Sequence, residues 1–186
     1  MSVLFGTFRS ESGAFAHVGG IVFSFVPASD NVIPGGIDAP GVRGDEIRHH
    51  DNAVKTLIVP DGVKGFADGF LEGWAVTDSV VFTDSLESIG TLDGEGCAFA
   101  CCFLPEIVLP SSLKVIGTYA FGGSRIRRLV VDSANRSVYG RQFKDSAIDE
   151  LLLPKESLEA RQDAGADEYG FIDNFYVHCR CRIIEY

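Results

Sequence analysis

The residues best suited to metal chemistry are cysteines and histidines in three short clusters. Zinc is usually held by pairs of cysteines or histidines that are two to four residues apart and that recur along the chain. The spacing C-x₃-C-C with a distant C-x-C matches that pattern only loosely, and a buried cysteine behaves as a small apolar side chain. We therefore predict no cofactor and no bound metal. The clusters are Cys97, Cys101 and Cys102; His178, Cys179 and Cys181; and His49, His50 and Asp51.

Motifs of the common catalytic sites do not occur in the sequence. There is no glycine loop that ends in Lys-Ser or Lys-Thr for phosphate, no G-x-S-x-G and no H-E-x-x-H. We predict that the protein is not an enzyme. The alternative is a metal-binding or enzymatic protein whose site combines Cys97, Cys101, His49 and His50.

The tripeptide Arg43-Gly44-Asp45 is similar to an integrin-recognition motif. It lies in a stretch rich in glycine and proline, which is typical of an exposed loop. The competing interpretation is that the tripeptide occurs by chance. Arg43, Gly44 and Asp45 are candidate binding residues.

Composition excludes several classes of function. The chain has 186 residues, 46% of them apolar and 23% charged, which suits a folded core, and its net charge is −10. Binding to nucleic acid or to an anionic membrane needs a basic surface, so neither is expected. No apolar run reaches the length of a membrane span, so no membrane insertion is expected. Without a visible signal peptide, a cytoplasmic location is one expectation.

An internal repeat of 22 residues determines the predicted fold. Residues 104–125, 126–147 and the start of a third copy at 148 follow one another without gaps. A fixed period of this length predicts a solenoid in which each copy adds one coil. The short branched segments within the copies predict strands that stack in parallel, and the phenylalanines predict an inner ladder. The residues in register are Leu104, Ile126 and Ile148; Ile107, Leu129 and Leu151; Leu109, Val131 and Leu153; and Phe99, Phe121 and Phe143.

Weaker copies extend the repeat to about seven candidate turns. The stretches 54–70 and 76–90 fit well, the second with one additional residue, whereas 14–27 and 172–178 fit as degenerate end turns. Residues 28–53 break the period and predict a loop insertion, and 161–170 predict a smaller one. We expect a single solenoid domain over 1–186, with an N-terminal cap and insertion (1–53), core repeats (54–160) and a C-terminal capping turn (161–186).

The segment "IVLPSSLKVIGTYAF" (107–121), with fainter versions at 57–70, 80–99 and 129–143, resembles the BspA-like leucine-rich repeats of bacterial surface proteins. The resemblance implies an α/β-type repeat solenoid, a right-handed superhelix with one parallel sheet along a face and little helix. It also implies a noncatalytic role in adhesion or protein binding, and a location at the cell surface or outside the cell.

One row of residues is predicted to point outward from the parallel sheet. Alternate side chains of a strand face opposite sides, so the residue between two inward positions faces out. Every member of this row is apolar, and a large exposed apolar patch usually marks an interface. We predict that either this row or the 28–53 loop binds a protein partner of unknown identity, and a homodimer through the row is a further expectation. The competing interpretation is that the insertion covers the row. Its members are Phe25, Ile58, Val81, Val108, Val130, Leu152 and Tyr176.

Overall fold

The computed structural model describes residues 5–42, 46–91, 96–131, 140–153 and 182–186. These residues form strands and one short 3₁₀ helix, with no α-helix among them. In chain order the elements are β1 (Phe5–Ser10), β2 (Gly13–Val18), β3 (Ile21–Pro27), β4 (Ile37–Pro40), β5 (Ile47–His50), β6 (Ala53–Ile58), β7 (Gly65–Phe66), β8 (Ala75–Val81), β9 (Ser88–Ile89), β10 (Phe103–Leu109), β11 (Val115–Ile116), β12 (Arg125–Val131), the 3₁₀ helix (Gly140–Phe143), β13 (Ala147–Leu153) and β14 (Arg182–Glu185).

Six parallel strands form what we call the main sheet, in the order β14-β13-β12-β10-β8-β6. The predicted register is confirmed, because Leu104 pairs with Ile126 and Ile126 pairs with Ile148. The second half of each coil forms a return sheet, in which β7, β9 and β11 are also parallel. The chain is therefore the β-solenoid that its period predicts.

The core lies between the two sheets and is built from the repeated inward positions. Ile107, Leu129 and Leu151 are fully buried along the main sheet. The predicted ladder is confirmed, since the ring of Phe121 stacks on Phe99 at 5.5 Å and on Phe143 at 5.0 Å between centroids. One buried ring per coil lets each coil bury its apolar face against the next.

The N-terminal region differs from the prediction. Residues 14–27 are not a turn of the main sheet, because β1, β2 and β3 form an antiparallel meander that joins the edge of the return sheet through β3 and β7. The reason lies at Gly19 and Gly20, which have φ of 59° and 91°. Two such residues form the tight turn of a hairpin, which a solenoid coil cannot contain at that place.

The same region caps the open edge of the main sheet at β6. The buried Asn31 side chain donates to the carbonyl oxygens of Ser12 and Thr56 and accepts from the Thr56 amide at 2.9 Å. The Ser12 hydroxyl accepts from the Ile58 amide at 3.0 Å. These side chains form hydrogen bonds with the backbone N–H and C=O groups of β6, so those groups are not available to pair with another strand.

At the other end, β14 pairs in parallel with β13. The smaller insertion at 161–170 and the candidate turn at 172–178 lie outside the described residues. Among the residues that are described, no helix is long and apolar enough to cross a membrane.

Candidate functional site

The outer face of the main sheet carries the predicted apolar row. Ile58 pairs with Val81, and Val108 pairs with Val130, which pairs with Leu152. Val81 is 47% exposed and Val108 is 48% exposed, whereas their neighbours along each strand point into the core. We call this the outer row: Ile58, Val81, Val108, Val130, Leu152 and Ile184.

The predicted row and the outer row differ at two residues, Phe25 and Tyr176. The placement of Phe25 is wrong: it lies in β3 of the other sheet, is 7% exposed, and packs on Phe15 with 4.7 Å between ring centroids. Tyr176 lies outside the described residues, and the position beside Leu152 is taken by Ile184 of β14. A longer separation between the last two strands of the sheet displaces the register from the 22-residue period.

The insertion 28–53 packs at the strand starts and along β6, and Val81 and Val108 of the outer row remain about half exposed. It forms the antiparallel hairpin of β4 and β5, and Ala39 packs against Phe103 in a small separate apolar cluster with Ala53 and Ala75. The buried His50 ring bonds the Gly73 carbonyl oxygen through Nδ1 at 2.9 Å. Along β6 the insertion extends further, since Asn31 bonds the backbone of Thr56, two residues before Ile58 of the outer row.

A charged row runs parallel to the outer row across the same face. Arg128 lies between Glu106, whose carboxylate accepts from the guanidinium at 3.0 Å, and Glu150, at 3.6 Å. Nearer the strand starts, Arg125 forms an ion pair with Asp149. The β12 and β13 part of the face thus has its charges paired.

The strands β8 and β10 differ from the rest of the sheet, since they are in register at one residue pair, Ala75 with Phe103. An additional residue in β8 shifts its register against β6 between Val54 and Thr56, and Pro105 of β10 has no N–H to donate. An open groove of about 470 Å³ lies here on the outer face. The residues that line it include Val81, Val108, Asp78, Asp84 and Glu106.

The additional residue of the 76–90 copy is visible in the sequence, but the repeat pattern by itself does not predict a groove there. The available signal was the spacing of inward residues, since Val76 and Val80 are one position further apart than Leu104 and Ile107. A proline two residues into the following strand was a second signal.

Cys102 occupies a structural position of the repeat. Its thiol, 2% exposed, donates to the Leu71 carbonyl oxygen at 2.9 Å, as the Ser124 hydroxyl donates to the Phe99 carbonyl oxygen one coil later at 2.7 Å. Ser146 repeats the contact with Phe121. Burial raises the pKa of the Cys102 thiol well above its ordinary value, which favours the protonated thiol that donates this hydrogen bond.

The other candidate ligands are dispersed. His49 is exposed and bonds the carboxylate of Asp38 at 2.8 Å, which raises the pKa of His49 chiefly through that hydrogen bond. In the described parts of the chain, no three His, Cys, Asp or Glu side chains group together in a way that could hold a metal ion. Arg43, Gly44 and Asp45 lie outside those parts, as do His178, Cys179 and Cys181.

The comparison with known families gives one match. The model of the BspA type leucine rich repeat region matches residues 49–167 with 6 copies. No curated protein and no solved structure shows significant similarity to the chain.

Proposed function

Because the chain belongs to the BspA-type leucine-rich repeat family, we propose that it is a noncatalytic interaction module whose outer row binds a protein partner. Repeats of this family serve protein–protein interaction or adhesion in general and are typically not enzymes. Adhesion at a cell surface is the finer form of the proposal.

The observation that carries the proposal is the exposure of the outer row. Val81 and Val108 leave about half of their surface to solvent, although Val80, Ile107 and Leu109 beside them are buried. Branched apolar side chains that line one face of a parallel sheet form a continuous patch, and such patches on soluble proteins mark interfaces. The insertion packs on the apolar cluster at the strand starts and on β6, and it leaves Val81 and Val108 exposed.

A metal-binding or enzymatic function has less support. Cys102 fills a hydrogen-bonding position that serine fills in the next two coils, and His50 fastens the insertion to the solenoid. Both side chains therefore have structural roles that explain their presence.

The test is capture of interacting proteins from an extract of the producing cells. The variant carries Val108→Asn and Val130→Asn, which are neutral, so a loss reports the apolar contact and not a new charge. The matched control carries Val26→Asn and Ile47→Asn, which replace side chains 65% and 66% exposed elsewhere on the chain. We expect specific partners with the wild type and the control, and their loss with the outer-row variant. Equal capture by all three proteins, at unchanged unfolding temperature, would contradict the proposal.

A second copy of the chain is the other occupant to be measured. Light scattering of the purified protein measures its oligomeric state. A wild-type dimer that becomes a monomer in the outer-row variant would show that the outer row binds a second copy and not a different protein. A monomer in both proteins leaves a different protein as the occupant.

A further inference from the structure

The groove between β8 and β10 combines an apolar floor with acidic walls. Val81 and Val108 are adjacent members of the outer row at its base, and both are about half exposed. Asp78, Asp84 and Glu106 surround them. A volume of about 470 Å³ accommodates a few side chains of an extended segment.

The groove lies beside a bulge in β8, and Asp78 of the bulge is part of its lining. Between paired residues, β6 has Lys55 alone, whereas β8 has both Thr77 and Asp78. A bulge of this kind bends its strand and turns a side chain in a new direction. Since β10 lacks the additional residue and has Pro105 in its place along the strand, β8 and β10 stay in register at one pair only.

The charges of this groove are not balanced as they are further along the face. Asp78 accepts the hydroxyl of its neighbour Thr77 at 2.7 Å, and within the described residues neither Asp78 nor Asp84 forms an ion pair. Glu106 shares Arg128 with Glu150. The groove therefore has an excess of negative charge next to an apolar floor.

We propose that this groove binds an extended segment of the partner protein in which lysine or arginine alternates with an apolar residue. The inference rests on the function proposed above and adds the chemistry of the partner. The apolar side chain would cover Val81 and Val108, and the cation would meet Asp78 and Asp84, so both kinds of group are complementary. Charge complementarity of this kind increases the specificity for one partner over others and raises the rate of association.

The same charges disfavour a second copy of this chain as the occupant. The chain has a net charge of −10, with 26 acidic and 16 basic side chains. Placing another acidic surface against Asp78 and Asp84 brings like charges together, which lowers affinity.

The test uses two synthetic peptides of equal length and hydropathy pattern, acetyl-Val-Lys-Val-Lys-Val-amide and acetyl-Val-Glu-Val-Glu-Val-amide. Their binding to the full chain is followed by chemical shifts of valine methyl groups at low and at high salt. We expect the lysine peptide to shift the Val81 and Val108 signals, with weaker binding at high salt, and the glutamate peptide to shift neither. Equal shifts with both peptides, or none with the lysine peptide, would overturn the inference.

Two variants locate the effect. Asp78→Asn with Asp84→Asn should weaken binding of the lysine peptide about tenfold, whereas the control Asp61→Asn with Glu72→Gln, at exposed carboxylates outside the groove, should leave it unchanged. Unchanged binding in the groove variant would overturn the inference. If that variant still captures the protein partner that the Val108→Asn and Val130→Asn variant loses, the proposed function stands and this inference falls. If both variants capture it, the proposed function falls.

Discussion

The pair of strands β10 and β12 and the pair β8 and β10 lie in the same sheet but are joined differently. The first pair is in register at six residue pairs, from Phe103 with Arg125 to Leu109 with Val131, whereas the second is in register at one. The regular pair continues a frame in which each coil repeats the previous one. A groove on the outer face lies beside the irregular pair. The repeat thus builds the sheet. The departure from the repeat makes the surface at β8 and β10 different from the surface at β10 and β12.

The largest effect is expected from breaking the regular part of the frame. Phe121 is fully buried between the stacked rings of Phe99 and Phe143, so Phe121→Ala should lower the free energy of unfolding by about 3–5 kcal/mol. Val81→Ala in the irregular pair should cost less than about 1 kcal/mol, since its side chain is half exposed. Urea unfolding measures both, and equal losses would mean that the groove region is as much part of the core as the ladder.

The next largest effect is expected at the buried hydrogen bonds that Cys102, Ser124 and Ser146 repeat from coil to coil. Ser124 is fully buried, accepts from the Cys102 amide at 3.0 Å and donates to the Phe99 carbonyl oxygen. Ser124→Ala leaves both groups without this partner and should cost about 1–3 kcal/mol in urea unfolding. Cys102→Ser is the matched control, since it keeps a donor to the Leu71 carbonyl oxygen, and a loss as large as that of Ser124→Ala would contradict this account.

A deletion of Thr77 tests the cause of the irregularity itself. It gives β8 the spacing of β6 and β10, so the ladder should become continuous and the groove should close. We expect slower hydrogen exchange of the amides from Ser79 to Val81, an unchanged or higher unfolding temperature, and about tenfold weaker binding of the lysine peptide. A deletion variant that folds and binds as well as the wild type would show that the bulge is not what opens the groove.

The smallest effect is expected at the insertion that covers the strand starts. The pKa of His49 is raised by its hydrogen bond to Asp38, so this pair favours the folded state below the ordinary histidine pKa and loses that contribution as pH rises through the raised value. Asp38→Asn should return the pKa of His49 to its ordinary range in an NMR titration. Because both side chains are exposed, the unfolding temperature at neutral pH should not change; a clear drop would mean that this pair, and not the packing of Ala39 on Phe103, holds the insertion.

The regular part of the molecule follows from the sequence because its period is uninterrupted from Leu104 to Leu153. That period alone predicts the stacked rings of Phe99, Phe121 and Phe143 and the exposure of Val108. Where the period is lost, local chemistry decides. The Gly19-Gly20 turn makes a hairpin of a stretch that otherwise resembles a coil, and its β3 carries Phe25 into the core.

The period alone predicts neither the groove nor the final strand, for a different reason. A single additional residue in β8 has a small effect on the repeat pattern but shifts every later side chain of the strand against its neighbour. Likewise the repeat pattern does not show how many residues separate β13 from β14, so the period predicts Tyr176 at the position beside Leu152 that Ile184 occupies.

The most direct measurement of the central claim is site-specific photo-crosslinking of the full chain in extract of the producing cells. A photoreactive amino acid replaces Val108 in one protein and Val26 in the other, both exposed apolar positions on different sheets. The account predicts a discrete crosslinked protein from position 108, with lysine or arginine in the crosslinked segment, and none from position 26. Crosslinks from position 26 alone, or from neither position, would contradict it.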